Sequence, residues 1–103
     1  MYAERKEVLA CKLTTPELKK RKEEVIEVLK QKVLERKELE DGYSYLFDGP
    51  DEMLDAISSF IKSERLCCPF FDFKMTVSSN NTIVLEISGP EGVKGFIVNE
   101  LGM

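Results

Sequence analysis

Histidine and tryptophan are both absent from this 103-residue chain. The missing histidine excludes Cys-His zinc fingers, Ser-His-Asp and Cys-His catalysis, and imidazole acid–base chemistry. No apolar run approaches the roughly 18 residues that a membrane-spanning helix needs, so no membrane partner is expected. The opening stretch MYAERKEV is charged and no apolar stretch follows it, so a secretory signal is not expected either. Positive charge is also short: 15 basic against 19 acidic residues leave a net charge of −4. Residues 1–40 carry 11 basic and 9 acidic groups, and residues 41–103 carry 4 and 10. A nucleic-acid binder needs a clear positive stripe. The one candidate, Lys19-Lys20-Arg21-Lys22, is surrounded by Glu17, Glu23, Glu24 and Glu27 and reads as a solvated helix face. Nucleic acid is therefore not an expected partner.

What is present suits one small domain. At 43% hydrophobic the chain is too apolar for a disordered tail, and its length is that of a single domain, 1–103. Three cysteines, an odd number, fit free thiols in a reducing cytoplasm better than a disulfide framework.

The periodicities give an order of elements. Residues 1–13 include Val8, Leu9, Ala10, Cys11 and Leu13, a short strand or an extended arm. Thr14 and Glu17 have capping-box spacing, and Pro16 suits a first helical turn. Leu18, Val25, Ile26, Leu29 and Val33 then recur at helical intervals. Continuing that stripe would present Arg36, Lys37 and Glu40 to a core, so the helix is expected to end near residue 32. Asp41-Gly42 between two extended runs is a hairpin signal, resting on positive φ at both turn residues. The rival is a single helix over 16–40 capped by Gly42. Asp48-Gly49-Pro50-Asp51-Glu52 opens a second helix, with Met53, Leu54, Ile57, Phe60 and Ile61 as its apolar stripe, running to about Leu66 before Pro69. Phe71, Phe73, Met75 and Val77 alternate with polar residues, Ser78-Ser79-Asn80-Asn81 makes the turn, and Ile83, Leu85 and Ile87 alternate in return, with one face buried. Gly89-Pro90-Glu91 opens a last helix with Val93, Phe96, Ile97 and Leu101. The fold class is thus α+β: an antiparallel sheet of two hairpins with helices on one face, in the order α-ββ-α-ββ-α.

Chemistry concentrates at Glu64-Arg65-Leu66-Cys67-Cys68-Pro69-Phe70-Phe71. Adjacent Cα atoms lie about 3.8 Å apart, below the roughly 4.4–6.8 Å that a disulfide wants. Cys67 and Cys68 are better described as two free thiols on one stiff corner. Thiolates suit soft ions such as zinc, copper(I), mercury(II) or arsenite. Glu64, seven after Ile57 and four after Phe60, falls on or beside the apolar stripe and near both sulfurs. If the arm carrying Cys11 docks beside the corner, three sulfurs converge, with Glu64 or water completing a metal site.

Opposed to this, a helix C-terminus disfavours a thiolate. There is no Cys-x-x-Cys pattern, which removes the usual zinc and thioredoxin-like signatures. Buried cysteines mostly behave as small hydrophobes. Plain core packing of all three is therefore the competing reading, and thiol oxidoreductase chemistry a third. The carboxylate pairs Glu17/Glu24 and Asp51/Asp55 read as solvated surface, and Phe70, Phe71 and Phe73 as core.

Cys11 with Leu13, and Glu64 to Phe70, resemble short motifs of a family of small bacterial proteins: a Cys-x-Leu element near the start and Glu-Arg-x-Cys-Cys-Pro-Phe after a helix. Related segments accompany regulators of the mercury-resistance type. The resemblance implies a heavy-metal or metalloid setting and no enzymatic role. No DNA-binding helix-turn-helix is present, which makes a stand-alone sensor or partner module the implied form. The functional expectation is a cytoplasmic, non-enzymatic module that binds a soft metal or metalloid through Cys67, Cys68 and Cys11 with Glu64 in support. The alternative is a structural or interaction domain with inert thiols, homodimeric through a sheet edge or the aromatic cluster.

Overall fold

A computed structural model describes residues 16–103, apart from the side chains of Pro16, Leu18, Lys19 and Cys67. Cys11, the early apolar set and Thr14, the expected cap, lie outside the described residues. The elements run α1 (Pro16–Lys32), β1 (Glu35–Leu39), β2 (Gly42–Asp48), α2 (Asp51–Cys67), β3 (Asp72–Ser78), β4 (Thr82–Ser88) and α3 (Val93–Phe96). A π-helical turn, Ile97–Leu101, continues α3. The four strands form one antiparallel sheet in the order β1-β2-β4-β3. The expected order of elements is therefore the observed one, and residues 33–40 pass into a strand rather than extending α1.

Helix α1 stops where its apolar stripe stops. Val33 is half-buried, Leu34 is exposed, and the Leu34 amide already donates to the Leu46 carbonyl at 2.7 Å. The first hairpin forms for a reason other than the expected one. Its loop is Glu40-Asp41, one residue earlier than Asp41-Gly42, because Leu39 already pairs with Gly42 in the ladder. Gly42 does not adopt positive φ. It is needed for close approach: a Cβ there would lie 1.8 Å from the Ile87 carbonyl oxygen across the β2–β4 seam. The second hairpin does use a left-handed residue, Asn81 at φ 65°, a conformation asparagine tolerates.

One sheet face is covered by helices. Tyr45 and Phe47 of β2 and Ile83, Leu85 and Ile87 of β4 are buried, while their alternating neighbours are not. Ile26 and Leu29 of α1, Met53, Ile57 and Phe60 of α2, and Val93, Ile97 and Leu101 complete the core. Helices α1 and α2 pack against each other. The expected burial of β3 is corrected in part: Met75 and Val77 share the inner face with Leu85 and Ile83, yet they are 36% and 58% exposed. The helical layer covers the two central strands and leaves the outer half of β3 open.

The C-terminal segment is held over β1 by polar contacts. Arg36 donates to the backbone oxygen of Met103 at 2.8 Å and lies 4.7 Å from the Tyr43 ring centre. Lys94 bridges to Glu38, and that bond holds the Glu38 carboxyl below its usual range. No helix among the described residues is long and apolar enough to cross a membrane.

Candidate functional site

Helix α2 places Glu64 facing inward. The intervals from Ile57 and Phe60, both buried, set it on the same stripe, and the carboxylate is fully buried at 0% exposure. Cys68 follows at the point where the helix ends. Its amide still donates to the Glu64 carbonyl at 2.6 Å, and its own carbonyl accepts from the Phe71 amide at 3.2 Å. Pro69 lies inside that turn, whose backbone bends back to start β3. The Cys68 thiol, also at 0% exposure, therefore belongs to the core at the point where α2 gives way to β3.

The residue that completes the site comes from α1. Lys22 is 8% exposed, and its Nζ lies 3.6 Å from Oε2 of Glu64. This corrects the reading of Lys19-Lys20-Arg21-Lys22 as wholly solvated. Lys20 and Arg21 are exposed as expected, but Lys22 stands four residues before Ile26 and seven before Leu29, so it occupies α1's buried face. Each of the two helices carries one charged residue in its apolar stripe, and packing the stripes together puts the charges side by side. Counting the same interval from Leu18 would have revealed it.

The electrostatics follow from burial. Neither Glu64 oxygen has a hydrogen-bond partner among the described residues. Burial raises the Glu64 carboxyl above its ordinary value; the Lys22 charge and then the Cys68 thiol pull it back, and Glu100 adds to the rise. Burial also pushes the Cys68 thiol up to about 12, with the Glu64 carboxylate reinforcing the shift and Lys22 opposing it. Cys68 is accordingly a protonated thiol at neutral pH, and next to it sits a carboxylate that holds a proton more tightly than an exposed one does.

An aromatic wall backs the corner. Phe70 meets Phe71 and Phe96 edge-on at 4.9 and 5.0 Å, and Phe73 links Phe71 to Phe60 at 5.7 and 6.0 Å. Phe70 and Phe71 are buried and belong to the core, as expected. Glu17, Glu24, Asp51 and Asp55 are exposed, the surface positions expected for them.

Of the four residues singled out in the sequence, Glu64 and Cys68 come together. Cys67 ends α2, with its side chain outside the description, and Cys11 lies outside the described residues. Among the described residues, no group of three or more carboxylates and thiols is arranged to hold a metal ion. Comparison of the chain with family models, with curated proteins and with solved structures found no match in any of the three. The resemblance at Glu64–Phe70 therefore rests on its short motifs alone.

Proposed function

We propose that the chain is a small binding module that captures a soft, thiophilic metal or metalloid ion at the Glu64–Cys68 corner. One observation carries this reading: a fully buried carboxylate with no hydrogen-bond partner among the described residues, beside a buried thiol at the end of the same helix. A buried carboxylate balanced only by an ammonium at 3.6 Å, with no close hydrogen bond, costs stability, and a ligand or proton that uses it offsets that cost. Glu64 supplies what metal capture by a protonated thiol requires. As mercury(II) bonds to Cys68 Sγ, the S–H bond breaks, its proton passes to the Glu64 carboxylate, and the ion sheds chloride or hydroxide to solvent. Thiols bind metal only by losing a proton. A thiol held near 12 selects against weakly thiophilic ions and leaves the softest ones. Cys67, adjacent in sequence, and Cys11 are the further sulfurs of the proposed ligand set. The reading is of a non-enzymatic module in a reducing compartment.

Native mass spectrometry of the chain after exposure to zinc, mercury(II) and arsenite tests this. A mercury or arsenic adduct lost in the Cys67→Ser/Cys68→Ser variant supports it. No adduct, or one unchanged in that variant, removes it.

A second reading is favoured by the complete burial of Cys68: a structural or interaction domain whose thiol is inert packing. Thiol titration under native conditions separates the two. Thiols that take up mercury only on unfolding favour packing, and thiols consumed by stoichiometric mercury without unfolding favour the site.

A further inference from the structure

The two edges of the sheet are built differently. Edge strand β1 is Glu35-Arg36-Lys37-Glu38-Leu39, with four charges in five residues. Two of these, Arg36 and Glu38, share the inner face with Tyr45 and Tyr43 and are engaged there by Met103 and Lys94. Charges along and inside an edge are how sheets prevent a further strand from adding. Edge strand β3, Asp72-Phe73-Lys74-Met75-Thr76-Val77-Ser78, is less guarded: its two charges lie on the outer face and none is on the inner one. It has seven residues, contains no proline, and carries one lysine and one aspartate. Its apolar residues line the inner face and remain exposed at Met75 and Val77. Among the described residues, the other exposed large apolar side chains, Val28, Leu34, Leu66 and Val98, lie outside β3.

We propose that β3 is a homodimer interface: two copies pair their β3 strands antiparallel about a twofold axis at Met75, making one eight-stranded sheet. The sequence of β3 is self-complementary in that register. Met75 is the centre of the strand, so all seven residues overlap. Phe73 of one copy stands opposite Val77 of the other, Met75 opposite Met75, Lys74 opposite Thr76, and Asp72 opposite Ser78. No like charges face each other. Moving the axis one residue toward the N-terminus sets Lys74 against Lys74, which is destabilising in directly opposed pairs. Moving it one residue the other way sets Phe73 against Ser79, beyond the strand. The register centred on Met75 joins the inner-face apolar rows of both copies along the whole strand with no like charges opposed, and it pairs backbone groups of β3 that have no strand partner on that side among the described residues. A second copy fits this edge better than an unrelated peptide does, because the fit of charge and apolar rows is of the strand to itself.

Sedimentation of the full chain from micromolar to millimolar concentration tests the interface. The expected result is a species of twice the 11.8 kDa chain mass, reduced to a monomer by Met75→Lys and by Val77→Lys, with unchanged circular dichroism. Met75→Cys, mixed with a mild thiol oxidant, is expected to cross-link to dimer through residue 75, since opposed Cα atoms lie about 4.5–5.5 Å apart, within disulfide range. Val77→Cys, opposite Phe73, is expected not to cross-link through residue 77. A native chain that stays monomeric throughout overturns the proposal. So does a dimer that survives both lysine variants while they remain folded, and so does equal cross-linking at 75 and 77.

Discussion

Lys22 of α1 and Glu64 of α2 form an ion pair at 3.6 Å between two side chains that are almost entirely buried. Each is the charged member of an otherwise apolar stripe, so the pair fixes how the two helices meet. It also sets the field in which the Cys68 thiol sits.

A double-mutant cycle measures that pair. Lys22→Met alone and Glu64→Leu alone each remove one member of a buried ion pair and are expected to destabilise by about 3–5 kcal/mol. The double variant, with two apolar residues facing each other, is expected to lie within about 1 kcal/mol of the native chain. Urea unfolding gives all four stabilities. Additive losses would show that the two residues do not act as a pair.

The pH dependence has a definite sign. Burial raises the Glu64 carboxyl above its ordinary value of 4.5, so the folded chain holds this proton more tightly than the unfolded chain does. The associated stability is fully present below 4.5 and is lost as pH rises through the folded-state value. Glu64→Gln is expected to remove that part of the slope. Identical slopes in the native chain and the variant over this range would contradict the assignment.

Cys68 is expected to resist alkylation while the chain is folded. Iodoacetamide needs a thiolate, and burial holds this thiol at about 12. Peptide mapping after a timed pulse at pH 8 should find Cys68 unmodified in the native chain and modified in urea. Rapid modification of Cys68 without denaturant would refute its burial.

Two glycines separate crowding from conformational freedom. Gly42→Ala places a Cβ 1.8 Å from the Ile87 carbonyl oxygen and must spread β2 from β4. A loss of about 1–3 kcal/mol or more is expected. Gly95 lies in α3 with no atom within 4 Å of an added Cβ, and its φ is not left-handed. Gly95→Ala is expected to stabilise by about 0.4–1 kcal/mol. Thermal melts that place the two variants on the same side of the native chain would contradict the packing described.

The element order was legible because each change of hydrophobic period coincides with turn chemistry: Pro50 before α2, Pro69 after it, Asn80-Asn81 between β3 and β4. Glu64 was legible for the same reason, as a carboxylate on a helical apolar interval. Lys22 obeys the same interval, but it hides in a run of four basic residues that looks solvated as a block. The need for Gly42 could not be read from its neighbours in sequence, since the atom it accommodates belongs to Ile87, 45 positions away. The exposure of Met75 and Val77 was equally hidden. Alternation tells which face a residue takes, and only the span of the helices tells how far that face is covered.

The central claim concerns a site and not merely a reactive thiol, so the most direct measurement is competition. Mercury(II) is loaded onto the native chain, onto Cys68→Ser and onto Glu64→Gln, each is dialysed against millimolar glutathione, and the retained metal is counted. The native chain is expected to keep one ion per chain, Glu64→Gln to keep less, and Cys68→Ser to keep none. A native chain stripped as completely as Cys68→Ser would contradict that claim.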